Sequence, residues 1–167
     1  MKSLFLILSF FAFSKAAFCE WKSVVTDISH DCVVVSSATE EAPIDFFKSE
    51  CKSFAGYELS IEGGDIRYHP ELSFRGETID LNNPMSFHDL GSDEITWLYK
   101  SQINNEGSGS IEWKGLVYSL SETTEDEDDV IVFHSVYLNG EKSCALSTSK
   151  TKEEAILLVQ SFNGQCH

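Results

Sequence analysis

Asp65, Arg67 and His69 stand at alternate positions of one short stretch, so an extended backbone would put all three on one face. A carboxylate, a guanidinium and an imidazole together suit general acid–base work or metal-assisted chemistry. Glu58 and Glu62 would join them from across a hairpin. The same residues equally make a cross-strand charge ladder on a solvated face, and catalysis would further need a pocket. His134 lies in the apolar stretch Val130 to Leu138 with no second His or Cys at ligand spacing, so it reads as a core histidine. His30 and Asp31, beside Cys32, read as turn residues.

The run Glu125, Asp126, Glu127, Asp128, Asp129 invites a cation but lacks the alternation and turn glycine of a calcium loop. It reads as a solvated acidic loop whose functional use would be electrostatic attraction of a basic protein. Other catalytic signatures are missing. The sequence has no G-x-S-x-G elbow, no G-x-x-x-x-G-K phosphate loop, no helix-opening G-x-G-x-x-G and no H-E-x-x-H. No cofactor and no metal site are expected.

Compartment and charge narrow the classes further. Lys2 followed by the apolar run Leu4 to Phe13 and the small residues Ser14, Ala16 and Ala17 has the layout of a secretory leader, too short to span a bilayer. Cleavage after Ala16 or after Cys19 fits the small-residue rule, and Phe18 argues against lipidation at Cys19. A leader over residues 1–19 leaves one exported domain over 20–167, in the periplasm or secreted. Its loss removes Lys2 and Lys15 and no acid, taking the net charge from −15 to −17. Such a chain repels nucleic acid and anionic membrane, and no later run is apolar enough for a membrane span.

Four cysteines then remain: Cys32, Cys51, Cys144 and Cys166. An even number in an exported chain indicates two disulfides, and none has the C-x-x-C spacing of a redox or zinc site. Of three possible pairings, Cys32–Cys51 and Cys144–Cys166 each close a loop of roughly 20 residues and are favoured.

The elements that must position these groups are mostly strands. Val130 to Leu138 is apolar on both faces and reads as a central strand. Asn139-Gly140 suggests a two-residue type I′ turn to a return strand over Glu141 to Ser149. Thr151 and Glu154 form a capping box, and Ala155, Leu158, Val159 and Phe162 make a helical stripe, with Gly164 placed as a left-handed cap. Short β-rich runs cover Val24 to Ile28 and Cys32 to Ser36. Pro43 to Phe54 reads as a helix, with Ile44, Phe47, Cys51 and Phe54 in step and Gly56 as its stop. Tyr57 to Glu62 alternates as a strand, Gly63-Gly64 turns the chain, and Asp65 to His69 returns, with Pro70 as its limit. Arg75 to Pro84 reads as loop, and Phe87 to Gly91 is ambiguous. Trp97 and Tyr99 favour a strand over Ile95 to Ile103. Asn104 to Ser110 is a turn, and a strand over Ile111 to Leu120 needs a bulge near Lys114-Gly115, where its apolar set shifts.

Cys32, Cys51, Gly56-Tyr57-Glu58-Leu59, Asp65-Ile66-Arg67, Leu72, Glu112-Trp113-Lys114 and a late Cys144 before a helix together resemble a set of small exported bacterial proteins with no assigned activity. Lys114 stands where that pattern has Arg. The resemblance implies an exported bacterial α+β domain and carries over no catalytic residue.

The expected architecture is therefore α+β: a mainly antiparallel sheet with the C-terminal helix on one face, a second short helix near 43–54, and two disulfides. The expected function is non-enzymatic, a protein-binding module of the envelope or secreted fluid whose acidity points to a basic partner, such as a wall-degrading lysozyme. Two alternatives stand beside it. One is a small hydrolase or metal-dependent enzyme using the Asp65/Arg67/His69 face. The other is an accessory subunit of an envelope complex, which an exposed apolar patch would mark.

Overall fold

Alternating apolar and polar residues become strand along most of the chain. The computed structural model describes residues 19–39, 42–64, 67–82, 88–103, 109–123, 129–164 and 166. The elements are β1 (Cys19–Asp27), α1 (Ile28–Asp31), β2 (Cys32–Thr39), β3 (Ala42–Cys51), β4 (Tyr57–Gly64), β5 (Arg67–Phe74), β6 (Glu77–Ile79), β7 (His88–Leu90), β8 (Glu94–Ile103), β9 (Gly109–Thr123), β10 (Asp129–Tyr137), β11 (Cys144–Ser149) and α2 (Lys152–Ser161). They form two antiparallel sheets. One runs β2-β3-β4-β5-β6, and the other β1-β8-β9-β10-β11, with β7 paired to the far end of β9. The chain is thus more sheet-rich than a balanced α+β fold, and the expected sheet is two.

The sheets face each other across the main core. Leu59, Ile61 and Leu72 from the five-stranded sheet meet Trp97, Leu116, Tyr118 and Val136 from the six-stranded one. The opposite face of the six-stranded sheet receives α2, where Leu98 and Val117 meet Ala155 and Val159. Burying each such side chain contributes about 1.5–3 kcal/mol, so the two cores of this sheet–sheet–helix layering hold the fold together. From Val132 onward β10 is covered on both faces, Val136 joining the first core and Phe133 packing on the second, whereas Val130 and Ile131 at its start are exposed. Lys114 is the extra residue of a bulge in β9, because Leu98 pairs with Gly115 while Tyr99 pairs with Trp113. The bulge brings Trp113 and Leu116 alike onto the first core, which resolves the shift in the apolar set.

Both favoured disulfides are present, Cys32–Cys51 across paired strands and Cys144–Cys166 from β11 to the segment beyond α2. Two disulfides fit an oxidising, extracytoplasmic environment. No helix among the described residues is long and apolar enough to cross a membrane. Of the expected leader only Cys19 is described, an exposed free cysteine opening β1; residues 1–18 lie outside the described residues.

Several local expectations are corrected. Pro43 to Phe54 is strand β3 through Cys51, not a helix. It pairs β2 on one side and β4 on the other, so two ladders of backbone hydrogen bonds outweigh a helical stripe that Phe46 already broke. Gly63 and Gly64 lie within β4, opposite Tyr68 and Arg67, and continue the strand rather than turning the chain. Arg75 to Pro84 holds β6 and the buried Leu81, and Pro70 sits inside β5 opposite Ile61 rather than ending it. Asn139-Gly140 is not a two-residue turn. The hairpin ladder opens at Tyr137–Cys144, and only Gly140 of that pair has positive φ, at 60°. A left-handed pair does occur at Arg75-Gly76 (φ 52° and 84°), joining β5 to β6. α2 ends without Gly164: Phe162 is extended and donates its N–H to the Leu158 and Val159 carbonyls. At the other end Thr151 caps as expected, its hydroxyl accepting the Glu154 N–H at 3.2 Å.

Candidate functional site

The outer face of the five-stranded sheet gathers the polar residues of three neighbouring strands. The inward set Tyr57, Leu59 and Ile61 is buried, which turns Glu58, Ser60 and Glu62 outward. Register then sets Ser73, Glu71 and His69 beside them on β5, and Glu50 and Lys48 opposite Ser60 and Glu62 on β3. Lys48 Nζ donates to Glu62 at 2.6 Å and to Glu71 at 3.2 Å, a cation shared between carboxylates on two strands. The hydrogen bond to Glu62 is the main reason its ammonium is held above the ordinary lysine range. Ser73 Oγ donates to Glu58 at 3.2 Å. A shallow groove of about 580 Å³ runs over this face, lined among others by Lys48, Glu50, Glu58, Ser60, Glu71 and Ser73.

The sequence-derived candidates distribute unevenly. Asp65 lies outside the described residues, as do Glu125, Asp126, Glu127 and Asp128; of Arg67 and Asp129 the backbone is described, and both lie in strands. His69 is exposed, opposite Glu62. No group of three or more His, Cys, Asp or Glu among the described residues is placed to hold a metal ion. What the sequence reading missed is Lys48. Its sequence neighbours read as helix, whereas only the pairing of β3 with β4 sets it against Glu62.

His134 and His30 have structural partners. His134 is 6% exposed and stacks on Tyr118 with ring centroids 5.0 Å apart, the core histidine its surroundings suggest. His30 Nδ1 lies 3.0 Å from the Asp27 carboxylate, which caps α1 by accepting the Ser29 N–H. Lys114 carries a third polar contact. Burial works against its charge, but Glu112 and Tyr137 outweigh that and hold the ammonium above the usual lysine range.

Among the exposed large apolar residues, three are consecutive on one strand. Val33, Val34 and Val35 on β2 are 68%, 60% and 50% exposed, and β2 is an edge strand of the same five-stranded sheet.

Compared with protein-family models, curated proteins and solved structures, the chain matches none, so no characterised family accounts for it.

Proposed function

We propose that this is a non-enzymatic protein-binding module of the cell envelope or secreted fluid, which captures a basic partner on the outer face of its five-stranded sheet. The observation that carries this reading is the charge balance of that face among the described side chains: Glu50, Glu58, Glu62 and Glu71 stand on neighbouring strands around the amine of Lys48. Glu50 and Glu58 pair with no cation among the described residues, so they stay available to lysine and arginine side chains from outside. The shallow groove suits a protein surface better than a small ligand, which would need a deeper and more apolar enclosure.

The test is capture from native envelope and culture fluid by the oxidised, tagged protein, eluted by a salt step and read by mass spectrometry. A purified basic lysozyme serves as a defined probe beside it. Release of a basic protein at moderate salt, with Glu50→Lys/Glu58→Lys weakening capture, supports the reading. Charge reversal that leaves capture unchanged sinks it. The exposed valines of β2 favour a second reading, a permanent subunit contact, which would survive high salt.

A further inference from the structure

We propose that the edge of β2 left unpaired among the described strands accepts an extended segment of the partner as an added strand, with lysine or arginine on that segment's outward face and apolar residues on its inward face. This rests on the protein-binding reading above and names the surface and form of the partner. An edge strand presents a row of unpaired N–H and C=O groups, and folded proteins normally protect it with charge, proline, brevity or a covering element. Three other edges show such protection, and the edge strand β7 is only three residues long. β1 carries Glu20 and Lys22, β6 is three residues long, and β11 is flanked by α2 through Leu146. β2 carries no charged residue and no proline from Cys32 to Thr39, and it holds its three valines in solvent.

Its one protective device is irregularity. Val35 is an extra residue between the Val34–Ser49 and Ser36–Lys48 pairs, so the strand twists and the usable edge is about five residues. That is enough for short strand addition, in which main-chain bonds give affinity and alternate side chains give selectivity.

The side chains that flank the edge set the partner's pattern. Val33 pairs with Glu50 and lies on the outer face; Val34 pairs with Ser49, buried on the inner face. A strand added beside β2 lies about 9–10 Å from β3, two strand spacings away. A lysine or arginine there can lay its stem along Val33 and bring its charge to Glu50, while the next residue inward meets Val34. A second copy of this chain supplies no cation at that place and brings another −15 charge against the first. Charge therefore selects a cationic strand over self-pairing.

The probe is a short labelled peptide alternating valine and lysine, titrated into the oxidised protein by fluorescence anisotropy, with amide exchange followed across β2. Two relatives of the peptide accompany it, one with alternate backbone nitrogens methylated and one with glutamate in place of lysine. Binding of the parent peptide should slow exchange between Val33 and Ser37. Backbone methylation, glutamate replacement and Val34→Lys should each weaken it about tenfold or more, and Glu50→Gln severalfold. If the methylated peptide binds as well as the parent, strand addition is wrong, while capture by the acidic face stands. If no peptide binds but a basic protein is still captured, the edge proposal alone is lost. Concentration-dependent dimers in sedimentation that disappear in Val34→Lys would overturn the cationic strand in favour of a second copy.

Discussion

At the scale of single residues, a few polar atoms join segments far apart in sequence. Tyr57 is 5% exposed, and its hydroxyl accepts the Gly140 N–H at 2.7 Å, tying the loop between β10 and β11 to the opposite sheet. Phe74 packs beside both, its ring 4.8 Å from that of Tyr57. Tyr57→Phe keeps the ring packing but leaves the Gly140 donor without its acceptor. The expected cost is about 1–2 kcal/mol in urea unfolding, larger than an exposed tyrosine would give. No loss at all would mean that the hairpin loop is held by its own turn. Thr26 works in the same way: it accepts from Trp97 Nε1 at 3.0 Å and donates to the Lys52 carbonyl at 3.1 Å, pinning β1 and β8 to the end of β3.

Asp27 gives a pH test at the same scale. Hydrogen bonds from Ser29, with help from His30, hold its carboxyl below the usual carboxylate value of 3.8. A group lowered in the folded state contributes its stability above the unfolded value and loses it as pH falls through the folded one. Asp27→Asn keeps a capping acceptor without the titration. Stability measured from pH 6 down to pH 2 should therefore favour the native chain above about pH 4, and the two curves should converge in acid. A constant gap down to pH 2 would show that the cap, rather than the charge, makes the difference.

At the scale of elements, legibility followed locality. The strand at Val130 to Leu138, the Thr151 cap and the β9 bulge were readable because each is fixed by residues a few positions apart. The helix expected over Pro43 to Phe54 failed for the converse reason. Phe47, Cys51 and Phe54 keep helical spacing, yet in β3 Phe47 and Cys51 also share one face at even spacing, so the residues themselves permit both. The choice was made by β2 and β4, and with it went Lys48, the cation at the centre of the candidate site. The division into two sheets was hidden in the same way, since alternation says which face is apolar but not what covers it.

The packing of α2 on β9 has a comparable hidden constraint at Gly115. A Cβ there would overlap the Val159 side chain, which is fully buried against the sheet. Gly115→Ala should destabilise by about 1–3 kcal/mol through overpacking, although alanine suits a strand better than glycine. Val159→Ala alone should cost a similar amount by opening a cavity. The double variant places the new methyl where the old ones were, so its cost should fall short of the sum by about 1 kcal/mol. Strict additivity in thermal or urea unfolding would show that α2 shifts away rather than interlocking there.

At the scale of the whole molecule, the charge of −15 acts on folding and on binding with opposite sign. Carboxylates crowded on one chain repel each other in the compact state, and added salt shortens the reach of that repulsion to about 10 Å at 0.1 M. Screening should therefore stabilise the oxidised fold as sodium chloride rises, and a gain of about 1 kcal/mol corresponds to an increase in Tm of about 2–4 °C for a chain of this size. The proposed capture of a cationic partner should weaken over the same range, because the same screening removes its attraction. The pair of trends separates causes that a binding curve alone confuses. Capture lost while Tm rises is electrostatic and cannot reflect unfolding. Capture that persists as Tm rises is not electrostatic; it favours a permanent subunit contact on the exposed valines of β2 over both the acidic face and a cationic added strand. A Tm that falls with salt would mean that the described ion pairs, Lys48 with Glu62 and Glu71 foremost, outweigh the net repulsion, and that the acidic surface is balanced within the fold itself.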